Sequence, residues 1–158
     1  MKEVKTTLLL IIKDEQILLA EKLRGFGKGK LNGVGGKVEP NETVDEAMIR
    51  ECREEIGVIP LNWQKQGIIV FDEFVKGERE KVVMSLYVAK NFEGTPLKSD
   101  EMDPKFYPIK NIPYKKMFPD DGLWLPYVLS GKKVLGEFKY DENFNILSHN
   151  IKIVEKIE

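Results

Sequence analysis

Glu51, Glu54 and Glu55 stand at positions i, i+3 and i+4, a spacing that brings three carboxylates to one face of a helix. Like charges so placed destabilise a helix, and a bound cation is the economical explanation. Carboxylate oxygens are hard ligands, and no thiolate or imidazole accompanies them, which favours Mg²⁺ or Mn²⁺ over zinc. His149 is the sole histidine, so a multi-histidine zinc site is excluded; no G-x-S-x-G motif supports Ser-His-Asp chemistry. Mg²⁺ held by few carboxylates keeps waters and recruits substrate phosphates. A neighbouring carboxylate can then orient or deprotonate a water for attack on phosphorus.

The elements that must position this cluster are readable around it. Thr43-Val44-Asp45-Glu46 has the form of a capping box, and Gly57 followed by Pro60 marks a stop, so a helix is predicted from Thr43 to Gly57. At 100° per residue Val44, Met48, Ile49, Cys52 and Ile56 share an apolar arc that docks the helix, while the three glutamates fill the adjacent arc and face a cleft. Upstream, Thr6–Lys13 and Gln16–Glu21 read as a strand hairpin. Arg24–Gly36 carries six glycines, which predicts a loop and a short strand running close to a ligand or another backbone. Gly36-Lys37 is followed by Val38 instead of Ser or Thr, which excludes a P-loop. Downstream, strands are predicted at Gly67–Val75, Lys81–Lys90 and Lys105–Pro108. Asp120 or Asp121 is expected to cap a second helix towards Leu129, and Val134–Tyr140 and Ile146–Val154 form a closing hairpin. Strands and helices do not alternate regularly, which predicts an α+β fold, a mixed sheet packed by helices.

The 158 residues fit one domain, 1–158, large enough for a real core. A net charge of −1 gives no basic surface for duplex nucleic acid, although a small phosphorylated ligand held by local cations remains compatible. The single cysteine, Cys52, excludes an internal disulfide and is read as a packing residue in a reducing compartment. The apolar run Leu8–Ile12 is too short to span a membrane, so the chain is read as cytoplasmic; a monomer is expected.

Gly36, Glu42, Arg50-Glu51, Cys52, Glu54-Glu55, Gly57 and Val58 together resemble the Nudix box, G-x5-E-x7-R-E-U-x-E-E-x-G-U with U a bulky apolar residue. Every fixed position is present, with Cys52 a small occupant of its apolar slot. The resemblance implies a Nudix fold, an α/β/α sandwich, and divalent-metal-dependent hydrolysis of a nucleoside diphosphate linked to another moiety. It further implies Glu51, Glu54 and Glu55 as metal ligands with the Gly35 carbonyl, Arg50 orienting the acids, and Glu42 supporting the loop by pairing with Arg50. Glu51 and Glu101 are both candidates for the general base, and Glu101 for a further metal contact.

Segments outside the box resemble one subgroup, the MutT-like oxidised purine nucleoside triphosphatases of the animal type, which cleave 8-oxo-dGTP and 2-hydroxy-dATP to monophosphate and pyrophosphate. These are Lys22–Gly27, Leu31–Gly33, Gly94–Pro96, Ser99–Met102 and Met117–Asp121. A base pocket is expected from Asn32, which offers donor and acceptor, and from Asp120 and Asp121, two adjacent acids able to exchange a proton. Phe26, Phe71, Phe74, Phe118 and Trp124 are expected to supply stacking and apolar walls. Thr7, Lys22 and Gly36 match further substrate positions. Phe118 and Leu31 stand where the subgroup often has Trp, so the stacking surface is smaller. Alternatives of other classes are a Nudix hydrolase of normal or methylated nucleotides, ADP-ribose or dinucleoside polyphosphates, and a non-catalytic nucleotide-binding module.

Overall fold

A continuous aliphatic run can be a strand only if both of its faces are covered, and β1 (Lys2–Lys13) meets that condition. Leu8 and Leu10 enter one core cluster while Leu9 and Ile11 enter the other. The computed structural model describes residues 1–157. β1 turns at Asp14 and Glu15 into β2 (Gln16–Lys22), with Ile11 opposite Leu18. β3 (Leu31–Asn32), β4 (Ile59–Val75), β5 (Glu78–Glu93), β6 (Met102–Pro108), β7 (Lys133–Tyr140) and β8 (Ile146–Val154) complete one sheet. Its order is β3-β2-β1-β5-β4-β7-β8, with β6 also on β2. The β1–β5 and β4–β7 pairs are parallel and the remainder antiparallel, so the sheet is mixed as expected.

α1 (Val44–Ile56) packs on the face carrying Leu9, Ile11, Tyr87 and Ala89; α2 (Asp121–Leu129) packs on the other, over Leu10, Leu86 and Val134. The sheet therefore lies between helices. The capping box of α1 is formed, Thr43 Oγ1 accepting from the Glu46 amide at 3.1 Å and Glu46 from the Thr43 amide at 2.8 Å. Gly57, at φ 75°, ends the helix in the left-handed conformation.

Several strands extend beyond expectation: β1 begins at Lys2 and β5 runs from Glu78 to Glu93. β4 begins at Ile59, because Pro60, Asn62 and the polar residues to Gln66 hide a strand whose partner is the equally extended β5. β6 begins at Met102, which places Glu101 beside Leu23 through a backbone hydrogen bond of 2.8 Å. Neither Asp120 nor Asp121 caps α2 in the expected manner: Asp120 precedes the helix but makes no side-chain cap, and its carboxyl turns inward.

Candidate active site

The loop from Gly33 to Val38 threads between β1 and α1, and it fits only because its three glycines lack side chains. A Cβ at Gly35 would lie 1.9 Å from the Thr7 carbonyl oxygen, and one at Gly36 would lie 2.6 Å from the Glu51 carboxyl carbon. The Gly36 carbonyl accepts from the Thr7 amide at 2.9 Å and the Lys5 carbonyl from the Val38 amide at 3.0 Å, tying the loop to β1. The Thr7 hydroxyl beneath it is buried and, among the described residues, has no hydrogen-bond partner.

Arg50 organises the acidic face of α1. Its guanidinium forks onto Glu42 at 2.5 and 2.9 Å, and reaches Glu51 at 2.7 Å, Glu54 at 3.2 Å and the Lys37 carbonyl at 3.1 Å. Bidentate Arg–carboxylate geometry fixes orientation as well as charge. The hydrogen bond from Arg50 and the Glu39 amide hold the Glu42 carboxyl down at about 2. Glu51 shifts the other way, burial outweighing the pull of Arg50.

Glu55 is the unusual member, an acid that is only 4% exposed on the docking side of the helix. It accepts from the Gly35 amide at 2.8 Å. Burial, and then the charges of Glu51 and Glu101, push its carboxyl up to about 8, with Lys22 opposing. Glu101 itself is exposed and paired with Arg24 at 2.8 Å. Burial raises the neighbouring Cys52 thiol to about 12, which fits a packing residue with no nucleophilic role.

The donor set suits a hard divalent cation: Glu51, Glu54, Glu55 and Glu101 supply only oxygen, and the Gly35 carbonyl accepts no hydrogen bond among the described residues. The mutual repulsion of Glu51, Glu55 and Glu101 is the local charge imbalance such an ion would relieve. Among the described residues the carboxyls do not yet surround one point, because Arg50 holds Glu51 and Glu54 while Gly35 holds Glu55.

On the opposite face of the sheet a cavity is lined by Leu8, Asn32, Phe71, Glu73, Phe118 and the adjacent Asp120 and Asp121, among others. It shares β1 and the start of the glycine loop with the acidic cluster, since Leu8 neighbours Thr7 and Asn32 neighbours Gly33. Phe26 and Phe118 stack with their planes 15° apart at the mouth, and Phe144 closes edge-on against both. Asp120 accepts from Tyr140 Oη at 2.5 Å and from Trp124 Nε1 at 2.7 Å; Asp121 accepts from the Phe118 amide at 2.9 Å. Burial raises both carboxyls. Asp121, which also faces the Asp120 charge, is raised well above the usual range, so the pair favours holding a proton.

A raised folded-state carboxyl makes folding bind protons, so the pair costs stability as pH rises above the unfolded value near 3.8. Asp121→Asn mimics the protonated form. Between pH 5 and pH 9 the wild-type melting temperature should fall more steeply than that of the variant. Parallel curves would count against a proton held on Asp121.

Most of the expected pocket residues are brought together here, but two are not. Trp124 is 1% exposed in the core, where it anchors Asp120 instead of stacking on a ligand. Phe74 does not line the cavity; alternation along β4 directs Phe71 and Glu73 into it and Phe74 to the other face. Glu73 and Phe144 line the cavity without having been expected. Strand phase two residues from Phe71 could have found Glu73. Nothing local marks Phe144, which reaches the cavity from the β7–β8 turn with φ 60°. Lys22 and Gly36 lie on the acidic-cluster side, and the lone histidine, His149, stacks on Phe138 in the terminal hairpin.

The profile described as NUDIX domain matches residues 2–128. Two proteins named oxidized purine nucleoside triphosphate hydrolase are similar along nearly their whole length. The one from Danio rerio is 42% identical over 151 residues, 96% of each chain; the one from Mus musculus is 39% identical over 149 residues, 94% of each. The crystal structure of a mutator MutT protein from Bacillus halodurans superposes with a TM-score of 0.83 at 27% identity, covering 94% of this chain and 97% of that one. No helix among the described residues is long and apolar enough to cross a membrane.

Proposed function

Because the chain belongs to the Nudix family, we propose that it hydrolyses oxidised purine nucleoside triphosphates such as 8-oxo-dGTP and 2-hydroxy-dATP to monophosphate and pyrophosphate, using Mg²⁺, with Mn²⁺ able to replace it. The observation that carries this reading is the cavity holding Asn32, Asp120 and Asp121, set on the same strand and loop as the acidic cluster. The names of the full-length relatives agree with it.

In this reading the base enters between Phe118 and the Asp pair, where Asn32 offers its amide N–H and the acids hold one proton between them. Lys22, whose charge already acts on Glu55, meets the phosphates. Glu51, Glu54, Glu55, Glu101 and the Gly35 carbonyl would hold the cation, which screens phosphate charge and lowers the pKa of an attached water. Arg50 keeps Glu51 oriented and Glu42 anchors Arg50. Water adds across the α–β anhydride, one P–O bond forming as another breaks. The proton goes to a carboxyl of the cluster, with Glu51 and Glu101 as the two candidates. The small substrate and the near-neutral charge fit a cytoplasmic monomer of one domain.

A panel of nucleotides assayed with Mg²⁺ tests the proposal. Turnover of 8-oxo-dGTP should exceed that of dGTP by about 100-fold in kcat/KM, the upper end of what leaving one buried hydrogen-bonding group unpaired costs. Equal or faster hydrolysis of ADP-ribose or a dinucleoside polyphosphate would sink it.

A further inference from the structure

Glu73 enters the base cavity from β4 in a setting that stability alone does not favour. Its direct partner across the antiparallel pair is Glu80, and like charges so placed destabilise a sheet. Among the described residues it makes no hydrogen bond and no ion pair, and the charges acting on it, Asp120 and Glu80, are both acidic. Arg79 is committed to Asp72, and the nearest ion pair of Lys81 is with Glu3. Burial first, then these two charges, lifts the Glu73 carboxyl to about 7. A half-buried carboxyl without a protein donor must find one in water or in a ligand.

The other polar groups of the cavity are largely spent. Both oxygens of Asp120 already accept, from Tyr140 and Trp124. One oxygen of Asp121 accepts from Phe118, and burial beside the Asp120 charge favours the protonated carboxyl, whose other oxygen is a donor. Asn32 Oδ1 accepts from the Gly33 amide at 2.9 Å, which leaves its N–H groups outward. Asn32 and Asp121 therefore offer donors, and the uncommitted acceptor in the cavity is Glu73. Oxidation of a purine at C8 to the carbonyl converts N7 from an acceptor into an N–H donor, so oxidised and normal bases differ in the group such an acceptor reads.

We propose that Glu73 is a specificity-determining residue of the base cavity, its carboxyl accepting a hydrogen bond from an N–H of the oxidised purine. This rests on the purine reading above and adds the residue that distinguishes the oxidised edge.

The test is kcat and KM for 8-oxo-dGTP and dGTP in the wild-type enzyme, Glu73→Leu and Glu73→Gln, with melting temperatures for all three. Glu73→Leu should lower the oxidised-to-normal ratio of kcat/KM about tenfold, through a higher KM for the oxidised substrate at nearly unchanged kcat. Glu73→Gln keeps an acceptor oxygen without the charge and should fall between, roughly threefold down. A merely structural role would move both substrates alike. A ratio within about twofold of wild type in Glu73→Leu, or in Glu73→Gln should the leucine variant not fold, overturns the assignment. A wild-type enzyme with no preference for the oxidised base would instead refute the purine reading, and Glu73 would fall with it.

Discussion

Glu55→Gln is expected to lower turnover by about a thousandfold or more while leaving the fold intact. Glu55 is the most buried of the cluster's carboxyls, and its oxygen already reaches the loop that carries the Gly35 carbonyl. An uncharged amide there is a poor ligand for a hard cation, and the loss of cation-bound charge at the phosphates would be felt chiefly in kcat. Folding should be spared for a specific reason. Burial and the charges of Glu51 and Glu101 already favour the neutral form of Glu55, and glutamine has nearly its shape. The amide oxygen can still accept from Gly35, so the melting temperature of the metal-free protein should be unchanged or slightly higher. Pyrophosphate release at saturating Mg²⁺, calorimetric titration with Mn²⁺ and a thermal melt measure the three parts separately. Turnover within tenfold of wild type would remove Glu55 from the ligand set.

Asp120→Asn should act on base selection instead of on the metal. Burial first, and then the Asp120 charge, favour the protonated form of Asp121; removing that charge weakens the preference and so the donor in the cavity. Loss of a matched buried hydrogen bond predicts a fall of about 10- to 100-fold in the ratio of oxidised to normal substrate turnover. There is also a structural cost. Tyr140 and Trp124 both donate to Asp120, so an amide must turn its NH₂ towards one of them. That mismatch costs about 1–3 kcal/mol, several degrees of melting temperature for a chain of this size. Mn²⁺ affinity should not change, because α1 and its glutamates lie on the other face of the sheet. An unchanged substrate ratio, with the expected loss of stability, would leave Asp120 a core residue only.

The two variants divide the molecule into a part that was legible in the chain and a part that was not. The acidic face of α1, its capping box, its stop at Gly57 and the glycines that let the loop pass under it follow from interactions spanning a few residues. Helix phase and turn chemistry decide them before any distant contact forms. The pairing of Arg50 with Glu42 crosses eight positions and was expected from the resemblance to the Nudix box alone.

The cavity wall obeyed different physics. Phe74 and Glu73 are neighbours in the chain, and only pairing with β5 and β7 decided which of them faces the cavity; one residue of slip would have exchanged them. Trp124 became the anchor of Asp120 because α2 buries it against the sheet, and Phe144 reaches the mouth from a turn more than a hundred residues from Phe26. The burial that lifts Glu55 likewise exists only once α1 docks. What the sequence determined by itself is where phosphate chemistry can occur, since helix periodicity places the three glutamates together locally. What only the tertiary structure decided is which groups meet the base, because strand register and the packing of remote turns select one face of each strand over the other.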